Sequence, residues 1–365
     1  MPSRPVSPQS SSHSSAQPEE TSPPSRSARS SSGSSSTFAI RKHWIGWQGF
    51  TFTLPAEWNL ALFSGDAKKG SLRVDDGDGP RFELIWETPQ PTVNLEKSIE
   101  DFLKKLARNA KKQKRPFHPA DHPSIVAKNR KPKAQLVNFG WTSDDSEPLA
   151  AHGWGTAWRC DDCGRVVVAH LFGRAGEKPR VAQQWAGEIF TSLECHGQGG
   201  WQAWSVFGLS GEIPLDFVLT RAKLQTGRLE IEWQRPIPTG PRGWWARPER
   251  LILRRSSAAN LLLEKETLEE WTRRTMLWLD KKSRWQEPQE WAFQAHEGLL
   301  ILGEPKPLKE RLAHLARARV RQPVTQTTLH IWHDEETSKI VSLETELLPS
   351  NAHVAQDVLD SLEYE

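Results

Sequence analysis

Two stretches of this chain, 159 residues apart, carry one pattern. GFTFTLPAEWNL at 49–60 returns as GLSGEIPLDFVL at 208–219, with Pro55 over Pro214 and Trp58 over Phe217. A repeat of this kind constrains the fold before any motif is read, because it sets the number of fold units. The match continues in order. GSLRV at 70–74 corresponds to GRLEI at 227–231, and the FELIW stretch at 82–86 to LIL at 251–253. Between those blocks the second copy carries a Pro/Gly/Trp insertion at 236–248. Apolar residues at helical spacing follow in both copies: Leu95, Ile99, Phe102, Leu103 and Leu106, then Leu268, Trp271 and Leu279. WRCDDCGRVV at 158–167 lies over WHDEETSKIV at 332–341, and both copies close on Ser-Leu-Glu, at 192–194 and 361–363. Each unit is about 150 residues, enough to close its own core, so the reading is two tandem domains and not a solenoid.

The expected organisation is a Ser/Pro-rich tail at 1–37, a first unit at 38–196, a linker at 197–201 and a second unit at 202–365. The tail has almost no large apolar side chain, so it cannot offset chain entropy by burial and is expected to be disordered. It has no apolar stretch of the secretory kind. No run of about 18 apolar residues occurs, so no membrane span is expected. Three cysteines argue against a disulfide framework and for a cytoplasmic protein. The net charge of +3 is too small to name a partner. The 18 tryptophans fall in both copies, and those at repeated positions, such as Trp158 over Trp332, read as core.

In the first unit, alternation predicts strands near 49–54, 58–63, 70–75 and 81–87, with Asp76-Gly77-Asp78-Gly79 as a hairpin turn. A helix is predicted over 95–113, ended by Pro116. Strands follow near 122–128, 134–141, 152–160 and 164–172, and a helix over 179–195 closes the unit. The fold class is α+β, an antiparallel sheet carrying helices, used twice. The opening aromatic strand with Phe50 and Phe52, the step from Pro55 to Trp58 and the hairpin at 158–167 resemble the Mog1/PsbP-like fold. That resemblance implies binding without catalysis and supplies no catalytic residues.

One constellation carries chemistry. Cys160-Asp-Asp-Cys163-Gly-Arg165 is a knuckle between two predicted strands, where two thiolates three apart can reach one ion while the glycine relaxes the turn. Cys195 and His196 are expected at the end of the closing helix, and they would complete a three-cysteine, one-histidine zinc site if that helix packs across the hairpin. His170 or His152 is an alternative to His196, since adjacent ligands are awkward to aim at one ion. In the second copy Asp334, Thr337 and Tyr364 stand at the three cysteine positions, so the hairpin folds without metal and any metal is an addition to the first. The competing readings are a redox pair and three unrelated thiols.

Cations crowd 104–133, where Asp121 is the only acid. Within it stand Lys111, Lys112, Lys114 and Arg115; a second group is Arg242 and Arg247 beside Trp244 and Trp245, and a third lies at 306–321. Cations with aromatics are what single-stranded RNA or DNA requires, and an acidic protein is the other class of partner such surfaces fit. The plain alternative is a solvated helix end, where cations complement the helix dipole. No phosphate-binding loop, zinc-protease motif or nucleophile elbow occurs. The expected function is therefore binding or scaffolding, with nucleic-acid binding and an enzyme site between the copies as rivals.

Overall fold

The computed structural model describes residues 42–89, 94–120, 136–144, 150–197, 199–225, 227–237, 248–277, 283–305 and 325–364. The expected tail at 1–37 lies outside them. The described residues belong to one compact unit, Ile40–Glu365. It is α+β with antiparallel sheet dominant.

The first half opens on strands β1 (Lys42–Trp47) and β2 (Phe50–Pro55), followed by β3 (Asn59–Gly65), β4 (Lys69–Asp75) and β5 (Pro80–Glu87). Helix α1 (Leu95–Lys112) comes next, then β6 (His118–Ala120), β7 (Leu136–Thr142), β8 (Ala150–Arg159), β9 (Val166–Arg174) and helix α2 (Pro179–Ser192). The second half runs β10 (Trp201–Val206), β11 (Leu209–Pro214), β12 (Val218–Gln225), β13 (Arg228–Arg235) and β14 (Glu249–Ser257). Two short helices, α3 (Ala259–Leu262) and α4 (Leu268–Thr275), lead to β15 (Ser283–Trp285), β16 (Gln289–Phe293), β17 (His296–Pro305), β18 (Gln326–Asp334) and β19 (Lys339–Leu347). Helix α5 (His353–Asp360) and β20 (Glu363–Tyr364) end the chain.

The strands form three sheets. One has the order β3-β4-β5-β9-β8-β7-β6, another β12-β13-β14-β19-β18-β17-β15 with β16 on β17, and a third β2-β1-β10-β11-β20. The third is built from the opening hairpins of both halves. Each hairpin turns on two residues of positive φ, Gln48 and Gly49 in one, Phe207 and Gly208 in the other, as a two-residue type I′ connection needs. The hairpins meet where β1 pairs antiparallel with β10, with Gly46 opposite Ser205. These two positions are 159 apart, the offset of the sequence blocks. A pair of that kind is what a two-fold axis through the strand contact generates. A Cβ on Gly46 would stand 2.5 Å from the Trp204 Cα, so the close approach needs glycine there.

One apolar cluster runs from one half into the other, beside two smaller ones. It includes Phe50, Phe52, Trp58, Phe82 and Trp86 with Phe217, Leu251, Trp332 and Leu343. Proline and aromatic act alike in both halves: the Trp58 N–H donates to the Pro55 carbonyl at 3.0 Å and the Phe217 N–H to the Pro214 carbonyl at 3.0 Å. The Asp76–Gly79 stretch is the β4–β5 turn, closed by the Asp76 N–H on the Gly79 carbonyl at 3.2 Å.

Strand β6, strand β1 and the end of helix α2 differ from the sequence expectation, and the strand expected near 122–128 lies outside the described residues. Strand β1 was not expected, because its ladder comes from β2 and from a strand over 150 residues away. Helix α2 stops at Ser192 and not at 195, since Leu193 turns extended and Glu194 pairs with Thr51 through bonds of 3.1 and 2.8 Å. The second half ends in the same way, with Glu363 opposite Ser210. In both, a serine hydroxyl at the helix end accepts a strand N–H: Ser192 from Thr53 and Ser361 from Glu212, each at 2.9 Å.

Candidate metal centre

Three segments converge beside the β8–β9 turn. The turn is closed by the Cys160 N–H on the Arg165 carbonyl at 2.8 Å and the Gly164 N–H on the Cys160 carbonyl at 3.0 Å. Gly164 takes φ +70° to let the chain reverse. The Glu194–Thr51 bridge then carries Cys195 and His196 past that turn in an extended segment. Arg165 locks the arrangement. Its Nη1 donates to the Cys195 carbonyl at 2.9 Å and to the Gln48 carbonyl at 3.0 Å, and its guanidinium lies 5.0 Å from the centre of the Phe50 ring.

The result gathers three of the four expected residues into one cluster, Cys160, Cys195 and His196, with Cys163 against Cys195 at its side. Ligand atoms of Cys160, Cys195 and His196 lie within 4.8 Å of one another, and Cys163 Sγ is 3.8 Å from Cys195 Sγ. A disulfide would bring two sulfurs to about 2.05 Å, and all three cysteines are free. Tetrahedral zinc with bonds of about 2.3 Å to sulfur sets its thiolates about 3.8 Å apart. Cys160 and Cys195 are buried; Cys163 and His196 are half-buried. His196 Nε2 stands 3.3 Å from an Asp162 carboxylate oxygen and Nδ1 3.3 Å from the Gly197 carbonyl oxygen, so ligation through one nitrogen leaves the other oriented. The Cys195 thiol, donating to Cys163, holds the Cys163 thiol well below the usual thiol range, helped by the Arg165 backbone and the Cys160 thiol. The same contact, with burial, pushes Cys195 up. A thiolate already favoured among neighbouring thiols is the first ligand a soft metal takes.

The alternative histidines are elsewhere. His152 lies eight residues up β8 from Cys160, about 26 Å along the strand, and His170 pairs with Gly155, five residues along β8 from Cys160. His170 is buried among Phe102, Phe139, Trp141 and Phe172, and its Nε2 accepts from the Trp141 indole at 2.8 Å. Burial pushes its pKa down to about 3, so it is neutral.

The corresponding hairpin of the second half closes without thiols. The Asp334 carboxylate accepts from the Thr337 N–H at 3.1 Å and from its hydroxyl, and Tyr364 accepts at 2.7 Å from the Trp332 indole. Ser338 there has φ +52°, as Gly164 does at +70°.

The basic residues are not gathered into one site among the described residues. Lys111, Lys112 and Lys114 are exposed at the end of α1, and Arg115 is tied to Asp144 at 2.9 Å. Lys114 has φ +57°, the Arg115 N–H reaches the Ala110 carbonyl and the Lys114 N–H the Lys111 carbonyl, each at 3.0 Å, which is a Schellman end. Arg242, Trp244, Trp245 and Arg247, like the cations at 306–321, lie outside the described residues. The Arg165 clamp and the Asp162 contact escaped the sequence reading; the only signal was an arginine two residues past the second knuckle cysteine.

No protein-family model matches the chain, and no curated protein does. Solved structures of the immunity protein TplEi of T6SS from Pseudomonas aeruginosa are similar to it at low scores. The complex with "L" peptide has a TM-score of 0.31 and 12% identity, covering 90% of this chain and 98% of that one. The apo structure has a TM-score of 0.32 and 12% identity, covering 89% and 97%. A likeness of that size identifies neither a fold nor an activity. No helix among the described residues is long and apolar enough to cross a membrane.

Proposed function

We propose that the chain is a non-enzymatic binding protein made of two tandem copies of one layered unit, the first clipped by a structural zinc ion. The carrying observation is the 3.8 Å separation of Cys163 and Cys195 with Cys160 and His196 beside them. Three thiolates and one imidazole fill a tetrahedron and leave no position for substrate, which is the structural and not the catalytic pattern. The tandem reading is supported by the parallel sheet orders, the Gly46–Ser205 pair and the matched serine caps. It gives the zinc a purpose: it ties hairpin turn to chain end where the second copy uses Asp334, Thr337 and Tyr364.

The carboxylates of the second sheet serve structure as well. Arg250 joins Glu232 at 3.1 Å and Glu346 at 3.3 Å, and Arg254 joins Glu230 at 3.2 Å and Glu344 at 2.6 Å. Such cross-strand pairs satisfy buried carboxylates instead of presenting an acid and a base to a cleft. The resemblance of each unit to the Mog1/PsbP-like fold points toward binding also.

Cobalt(II) tests the reading. Added to metal-free protein it gives an intense tetrahedral thiolate spectrum that thiocyanate and phosphate leave unchanged, and Cys163→Ser loses the share of one thiolate in the absorption. A spectrum that shifts with added anions means an open, catalytic position and overturns the structural role; no thiolate spectrum overturns the site.

A further inference from the structure

The three cysteines of the candidate metal centre are not equivalent. Cys160 and Cys195 are 8% and 7% exposed, and Cys163 alone of the three is half-buried. It stands in the β8–β9 turn, next to the exposed Asp162. Its Sγ lies 3.8 Å from the Sγ of Cys195, which is 32 residues further along the chain. A disulfide sets two sulfurs about 2.05 Å apart, so the pair is one short side-chain movement from bonding.

The backbone on both sides is held without metal. Arg165 Nη1 donates to the Cys195 carbonyl at 2.9 Å, and the Arg165 carbonyl accepts from the Cys160 N–H at 2.8 Å. The turn and the segment after α2 are thus fastened to one residue, and joining their sulfurs asks side chains to move, not strands. A bond between Cys160 and Cys163 would instead close inside the turn and tie nothing to the chain end. His196 has a station to keep when an ion leaves, since its Nε2 is 3.3 Å from an Asp162 carboxylate oxygen.

We propose that Cys163 and Cys195 form a reversible oxidative modification site, where peroxide turns the pair into a disulfide that replaces the zinc ion as the tie between turn and chain end. The proposal rests on the zinc reading above and adds a regulation to it. The Cys163 thiolate attacks a peroxide oxygen; the S–O bond forms, the O–O bond breaks and hydroxide leaves. The Cys195 thiolate then attacks the Cys163 sulfur; the S–S bond forms, the S–O bond breaks and a second hydroxide leaves. The two sulfurs give up two electrons, the peroxide takes them, and two protons from solution turn the hydroxides into water. Cys160 and His196 remain as two ligands, too few to keep an ion whose structural sites have four. A dithiol supplies the two electrons back by exchange.

Peroxide treatment of the zinc-loaded full chain tests this, with released zinc read by a chromogenic chelator and disulfides mapped by mass spectrometry. Cleavage before aspartate parts Cys160 from Cys163, because Asp161 and Asp162 lie between them. At about 1 mM hydrogen peroxide, one zinc should leave for each Cys163–Cys195 disulfide formed, and dithiothreitol with added zinc should restore the site. The oxidised, ion-free chain should keep its thermal midpoint within about 3 °C of the zinc form, while the reduced, chelated chain falls by about 5 °C or more. A chain that carries no zinc before treatment overturns the zinc reading, and the exchange with it. A zinc-loaded chain that keeps its ion through an hour of peroxide overturns the proposal and leaves the zinc reading standing. So does loss of the ion with a Cys160–Cys163 disulfide or a sulfinic acid instead, or an oxidised chain as unstable as the chelated one.

Discussion

At the scale of single residues, His170 shows how burial sets chemistry here. His170 is enclosed by four aromatic rings, and its folded pKa of about 3 lies below the ordinary value of 6.5. The unfolded chain therefore takes up a proton that the folded one refuses. Stability from this group is complete above pH 6.5 and is lost as the pH falls toward 3, with a slope approaching about 1.4 kcal/mol per pH unit. Glu83, opposite His170 in the ladder, is pushed up by burial and acts in the other sense. It is present in both proteins of the following comparison and cancels. His170→Gln should be less stable at pH 7 by about 1–3 kcal/mol, through lost packing and the stranded Trp141 indole. It should also lose about 1–2 kcal/mol less than the parent between pH 6.5 and pH 5 in urea unfolding. Equal pH slopes in the two proteins would show that His170 is not a buried neutral ring.

At the scale of elements, N–H groups of β2 and β11 left outside the ladders are met by side chains. The Thr53 N–H of β2 finds the Ser192 hydroxyl, and the Glu212 N–H of β11 finds Ser361. An edge left with unmet N–H groups invites pairing with another chain. Ser192→Ala should cost about 1 kcal/mol in urea unfolding, with Ser361→Ala costing a similar amount. A value near zero for both would mean that water serves these N–H groups as well. Sequence made the regular elements legible where periodicity was local. The stripe of Leu95, Ile99, Phe102 and Leu103 marked α1, and alternation marked β4, β5, β8 and β9. It did not reveal β1, whose Lys-His-Trp-Ile-Gly-Trp run takes its register from β10 across the molecule. It also ran α2 three residues too far, because the extended turn at Leu193 is imposed by Thr51 through pairing. Both misses are tertiary contacts overriding local preference.

At the scale of the whole molecule, one core joins the two halves, so each half is stabilised through the other. The α+β class with antiparallel sheet was legible in the alternation of the strands, and the cysteine spacing marked the turn between β8 and β9. What remained hidden was how Cys195 arrives there: through an extended bridge and the Arg165 clamp, and not on a helix end. The proposed metal clip, set into a shared core, should act on all of it, so removing such an ion should lower one cooperative unfolding transition and not detach the first half alone. The most direct measurement is elemental analysis of the full chain, purified without chelator, beside its Cys160→Ser/Cys163→Ser/Cys195→Ser variant. The account predicts about one zinc per chain in the parent and none in the variant. A metal-free parent protein, or zinc retained by the variant, would contradict it.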